Sequence, residues 1–167
     1  DPHNDPIRYP PFKGFAFPPS DYIGPDDPRV TDDLSTLAAP GNALRRSFVF
    51  GYCGRKARSN LFYNADGRIV YHAAALGIVY DREAHAQSFF DAHDDDICSL
   101  DMHPDKVRMV SGQVGKSPKI YVWSSRPDAN GNLQRLCLIH DPDQKRAIIG
   151  VSFSSTGSCV AAMGNDN

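Results

Sequence analysis

HDDDICSLDMHPDKVRMVSGQVGKSPKIYVW, residues 93–123, opens on a histidine, closes on a tryptophan and holds three short apolar runs between them. The runs fall around Ile97–Met102, Val107–Ser111 and Lys119–Trp123, with Pro104 and the Gly115–Pro118 stretch punctuating them. β-branched and aromatic runs of about five residues bounded by turn formers read as strands. The Gly115-Lys116-Ser117 triplet also suggests a phosphate-gripping loop. That loop needs another glycine five residues earlier, where Val110 stands, and a helix rather than a strand behind it. No nucleotide site is expected, and the loop is structural, the hairpin between the third and the outer strand of one sheet.

The pattern recurs downstream. DQKRAIIGVSFSSTGSCVAAMGNDN repeats an alternating strand, a tight polar turn and a second strand. Met102-His103-Pro104 matches Phe153-Ser154-Ser155 about fifty residues on, slightly above the usual propeller-blade period, with the loop SSRPDANGN holding the excess. His near the start and Trp near the end of such a unit is the WD-repeat signature, one four-stranded blade per repeat. His93, Asp96, His103, Pro104 and Trp123 are then blade-structural residues, with Trp123 packed between neighbouring blades. WD blades place an Asp in the turn before the Trp strand to bond the opening His. None lies between Ser111 and Trp123, so His93 is expected to lack that partner.

Upstream, SFVFGY and NLFYNADGRIVYHAAALGIVYD read as strand, turn at Asp66-Gly67, strand, strand. Ala84–Ala92 has room for a single helical turn but not for a helix. The expected class is all-β, a WD-repeat β-propeller portion preceded by an extended Pro-rich arm. Nine of the thirteen prolines precede residue 41, which rules out regular structure there by sequence periodicity. Yet Tyr9, Phe12, Phe15, Phe17 and Tyr22 recur through the arm, more aromatics than a linker uses. They are expected to anchor it on another protein surface.

A net charge of −2 argues against bulk electrostatic binding of nucleic acid, and no apolar run approaches the ~20 residues of a membrane span. No secretory signal is visible, and the chain begins at Asp1 rather than Met, as a processed or excised piece would. Cys53, Cys98, Cys137 and Cys159 are too scattered for a disulfide framework or a zinc site. The last three sit among apolar neighbours, as buried thiols in a reducing, cytosolic compartment do. Asp94-Asp95-Asp96 and the Asp1, His3, Asp5 set lack the ligand spacing of a metal loop. Cys53 with His72 or His85 lacks an orienting third group and an oxyanion hole. No cofactor, metal or catalytic residue is expected.

Residues 47 to 167 resemble the echinoderm microtubule-associated protein-like family. Its HELP motif, Val-x-Gly-Tyr-Arg-Gly-x-x-x-Arg-x-Asn-Leu-x-Tyr, is met by Val49, Gly51, Tyr52, Gly54, Arg58, Asn60, Leu61 and Tyr63. The phrases AHDDDICSLDMHPD and VSGQVGK are similar to the family's own segments C-terminal to that motif. Ser47-Phe48 replaces the usual acidic-Trp pair, Cys53 the first motif Arg and Ala92 the blade-opening Gly. The arm shows no heptad and none of the family's coiled coil.

The resemblance implies a tandem atypical propeller whose HELP segment forms strands buried between propellers. It also implies tubulin or microtubule binding and a scaffold role without catalysis. The expected division is an arm at 1–44, a HELP segment at 45–91, a first WD blade at 92–132 and an incomplete second blade at 133–167. Arg45, Arg46, Arg55 and Lys56 form a basic concentration suited to an acidic surface such as tubulin's exterior. The other expected partners are microtubule-associated proteins met through the arm, with no nucleic acid or membrane. The expected setting is the cytoskeleton of a cilium or flagellum, on the axonemal doublet microtubule. The alternative is a generic WD-repeat adaptor for soluble proteins.

Overall fold

The structure, a computed structural model, describes the backbone of 7–8 and 15–16 and residues 46–52, 54–55, 57–143 and 145–165. Two compact units divide after Arg45. In the first, β1 (Ile7–Arg8) pairs antiparallel with β2 (Phe15–Ala16), a short ladder that no periodicity in the sequence marks. Tyr9, Phe12, Phe17, Tyr22, Arg45 and Lys56, and the side chain of Phe15, lie outside the described residues.

The second unit, 46–167, holds three antiparallel sheets and no helix among its described residues. The first sheet takes β3 (Phe62–Tyr63), β4 (Ile69–Ala73), β5 (Leu76–Asp81) and β6 (Ala86–Phe90) in chain order. The second takes β7 (Ile97–Met102), β8 (Arg108–Gln113), β9 (Lys119–Pro127) and β10 (Leu133–His140), again in order. β11 (Ile148–Phe153) and β12 (Val160–Gly164) pair as a third sheet. Ala86–Phe90 is therefore a strand, in the stretch that had room for a helical turn.

The turns show why the chain reverses where it does. His103 N–H bonds Arg108 O and Lys106 N–H bonds His103 O; Ser154 and Gly157 repeat both bonds 51 residues on (154 − 103). Lys106 and Gly157 share a left-handed backbone, with φ of 57° and 74°. Gly67 N–H bonds Asn64 O in the same manner, with φ 74° at Gly67. The first sheet thus turns as the WD sheets do, and the repeat read from residues 93–167 extends back to residue 62. Asn64 Oδ1 and Asp105 Oδ1 each accept two backbone N–H groups within these turns.

Alternation along β8 explains the layering. Met109 and Val110 are both fully buried although neighbours in a strand point to opposite faces. Met109 belongs to a core of Val70, Val79, Phe90, Leu100, Tyr121, Trp123 and Leu133, between the first and second sheets. Val110 belongs to another, with Ile120 and Ile148, between the second and third. β8 is thus covered on both faces, whereas β10 at the sheet's edge is exposed beyond Leu133.

Two expectations are corrected. The expected boundary between 132 and 133 falls inside a sheet, because β10 pairs with β9 from Leu133↔Pro127 to His140↔Lys119. Consequently 114–118 joins the second and third strands, not the third and the outer one. The thiols differ as well: Cys98, Cys137 and Cys159 are free, but Cys98 is half-buried and the other two are exposed.

Candidate functional site

The segment before β3 is held on the first sheet by named bonds. Val49 N–H donates to Gln87 Oε1 at 2.7 Å, and Gln87 Nε2 donates back to Val49 O and to Tyr71 Oη. Tyr52 Oη donates to Asn60 Oδ1 at 2.6 Å, and Asn60 reaches inward to His72 Nε2 at 3.5 Å. Gly54 suits the turn because a Cβ there would lie 3.2 Å from the Tyr52 ring. His72 is fully buried with Nδ1 unpartnered, and burial pushes its pKa down.

This arrangement leaves an apolar outer face. Tyr52, Leu61 and Tyr63 are each more than half exposed and Phe50 almost wholly so. Gly51, Tyr52, Leu61, Ile69, Tyr71 and Tyr80 line a shallow depression of about 440 Å³ there. Burial of one such side chain is worth about 1.5–3 kcal/mol, which these exposed side chains do not gain here.

The basic residues divide. Arg46 stacks 5.1 Å above the Phe89 ring and approaches Asp91 at 3.9 Å. Arg55 and Arg58 are exposed, with no ion pair or hydrogen bond among the described residues. Arg58 therefore belongs with the free cations rather than pairing internally.

The blade residues form a buried relay. Trp123 Nε1–H donates to Ser111 Oγ at 3.0 Å, and Ser111 Oγ meets His93 Nε2 at 2.7 Å. His93 Nδ1 faces Gln113 Oε1 at 2.8 Å, and Gln113 Nε2 donates to Asp94. Since an amide oxygen only accepts, Nδ1 carries the imidazole proton and Nε2 accepts from the serine hydroxyl. The expectation that His93 lacks a partner is corrected: Gln113 supplies the acceptor. Burial lowers the His93 pKa to about 4, so the ring is neutral at pH 7. Hydrogen bonds from Gln113 and Lys119 lower the Asp94 carboxyl to about 2. His103 packs edge-on against Phe153 at 4.9 Å, Pro104 is exposed in its turn, and Asp96 O accepts from Val114 N–H. Among the described residues no group of three His, Cys, Asp or Glu side chains is placed to hold a metal. Nor is any helix there long and apolar enough to cross a membrane.

Comparison with known proteins agrees with this geometry. Residues 39–78 match the HELP motif family. The chain is 35% identical over 90% of its length to the 77 kDa echinoderm microtubule-associated protein of Lytechinus variegatus, covering 23% of that protein. It is 32% identical over 86% of its length to echinoderm microtubule-associated protein-like 2 of Homo sapiens, again 23% of that protein. The ciliary WD repeat-containing protein ctxp80 of Euplotoides octocarinatus is 27% identical over 94% of the chain, 22% of its own length. The chain thus spans under a quarter of the curated relatives it matches. Among solved structures, the β-propeller domain of Myceliophteria thermophila Cps50 (Swd1) superposes with a TM-score of 0.53 at 14% identity. That match covers 73% of this chain and 36% of the other, and it shows the fold: a β-propeller.

Proposed function

Because this chain carries the HELP motif and WD blade of the echinoderm microtubule-associated protein-like family, we propose that it serves as part of a microtubule-associated scaffold without catalysis, binding tubulin or the microtubule lattice. The observation that carries the reading is the alignment of nine-tenths of the chain with the 77 kDa echinoderm protein, whose name states the association. The free Arg55 and Arg58 support an acidic partner surface, and the exposed aromatic face supports protein rather than small-molecule contact. The ciliary relative supports a cilium or flagellum as the setting, and the axonemal doublet microtubule is the place within it that this reading adds. The arm's aromatics would then bind tubulin or neighbouring microtubule-associated proteins.

Co-sedimentation of the full-length protein with stabilised microtubules, with and without residues 1–44, tests this. Pelleting that needs the arm makes its aromatics the principal anchor; pelleting without it puts the contact on the sheets. If neither form pellets, the protein is a WD-repeat adaptor for soluble partners instead.

A further inference from the structure

The 128–132 link between β9 and β10 is organised by one carboxylate. Asp128 Oδ1 accepts from Asn130 N–H at 2.8 Å and from Asn132 N–H at 2.9 Å. Asp128 N–H donates to Asn132 O, and Gly131 N–H donates to Asp128 O. Residues 129–132 are exposed, Gly131 has a left-handed backbone with φ 82°, and a Cβ there would meet nothing within 4 Å. The side-chain amide of Asn130 makes no hydrogen bond among the described residues.

Asn130 is also the one asparagine of the sequence that a glycine follows. An asparagine amide is open to attack by the main-chain nitrogen of the next residue. Any side chain on that residue hinders the approach, and glycine has none. Other candidates in the fold are protected. Asn60 and Asn64 are buried, and Asn64 Oδ1 is occupied by the Asp66 and Arg68 N–H groups. Asn132 precedes the branched, buried Leu133. Asp66-Gly67 repeats the backbone, but Arg126 donates to both Asp66 oxygens and holds that carboxyl below its ordinary pKa. A carboxylate resists attack where a neutral amide does not. The bond from Gly131 N–H to Asp128 O opposes the reaction at Asn130, yet one exposed backbone bond slows it by about tenfold at most.

We propose that Asn130 is a site of spontaneous deamidation. Gly131 N gives its proton to water and bonds to Asn130 Cγ. The Cγ–Nδ2 bond breaks, and the nitrogen takes a proton from water and leaves as ammonia. Water then opens the cyclic imide at either carbonyl, giving aspartate or isoaspartate without any oxidant or reductant. Either product adds a negative charge beside Asp128, and isoaspartate also routes the main chain through the side-chain methylene. Turn length fixes hairpin register, and β9 is the only ladder partner of β10 among the described residues. The modification therefore acts on the attachment of the sheet's outer strand.

The test is incubation of the full-length protein at pH 7.5 and pH 9, followed by peptide mapping with mass spectrometry at each asparagine. Methyl transfer from S-adenosylmethionine by an isoaspartyl methyltransferase marks the isoaspartyl share. Amide-to-acid conversion should begin at Asn130, rise with pH because the attacking nitrogen must lose its proton, and leave Asn64 and Asn132 unchanged. Asn130→Gln lengthens the side chain so that the ring closes less readily, and the peptide spanning β9 to β10 should lose its methyl label. Absence of conversion at Asn130, conversion as fast at Asn132, or a label on that peptide that survives Asn130→Gln overturns the proposal.

Discussion

Trp123 lies flat on Phe90, ring centroids 5.0 Å apart and planes 5° from parallel, joining the first sheet to the second. Both rings are almost wholly buried, and Gly77 makes the room, since a Cβ there would sit 2.9 Å from Trp123 Cζ2. Phe90→Ala should cost about 3–5 kcal/mol, as large aromatic-to-alanine changes in a closed core do. Gly77→Val should also destabilise, by overpacking. Urea unfolding of the full-length protein, followed by tryptophan fluorescence, reads both. A Phe90→Ala midpoint equal to wild type would mean that the sheets do not rely on this stack.

Gly157 lies against His103 so closely that a Cβ would be 1.8 Å from His103 Nε2. Its φ of +74° adds a backbone penalty for any other residue. Gly157→Ala should destabilise by about 1–3 kcal/mol, chiefly by driving the imidazole off Phe153. The double variant with His103→Ala should lose less than the sum of the single losses, because the clash needs both partners. Strict additivity in the cycle would refute the close approach.

Gln113 joins the buried His93 ring to the exposed Asp94 carboxylate: it accepts from the first and donates to the second. Gln113→Ala leaves the His93 Nδ1–H without an acceptor at a site 6% exposed, a cost of about 1–3 kcal/mol. Gln113→Glu keeps the acceptor and should lose less against His93 while adding repulsion with Asp94. Thermal unfolding of the two variants decides, and equal melting temperatures would deny Gln113 its place in the relay.

How far the sequence alone reaches is visible in these same residues. Most strands and the His-to-Trp unit are legible in it, because alternation and turn chemistry are local and the repeat returns after 51 residues in the hydrogen bonds themselves (154 − 103). SFVFGY, read as a strand, is corrected, since 47–52 forms none and is tied to the first sheet through Gln87 instead. β10 is easily misassigned because the 128–132 loop looks like an inter-blade link. Only the ladder from Leu133 to His140 shows that the chain turns back on its own sheet. Gln113 escapes a reading that expects an aspartate in the turn, whereas an amide oxygen at the end of β8 reaches the same nitrogen. The exposure of Cys137 follows from β10 ending its sheet and that of Cys159 from its place in the turn between β11 and β12, neither of which apolar neighbours in sequence encode. The free state of Arg58 likewise depends on what the fold brings near it.

Stability should depend on pH through the buried histidines. Burial lowers both His72 and His93 below their ordinary value of 6.5, His93 to about 4. The unfolded chain therefore binds more protons than the folded one between those limits, and stability rises with pH there. Their contribution is complete above pH about 6.5, declines as pH falls towards 4 and changes no further once the folded rings protonate. For His93 alone the loss across that window is roughly 3 kcal/mol. Asp94, held at about 2, gives up its own stabilisation only below the ordinary carboxylate range, so the two effects separate on the pH axis. Urea midpoints measured from pH 7.5 to 4.5 should fall steadily, and less steeply in His93→Gln, which replaces the titrating ring by an amide. A midpoint unchanged over that range would show that the rings titrate alike in both states, and so that the relay from Trp123 to Gln113 is open to water.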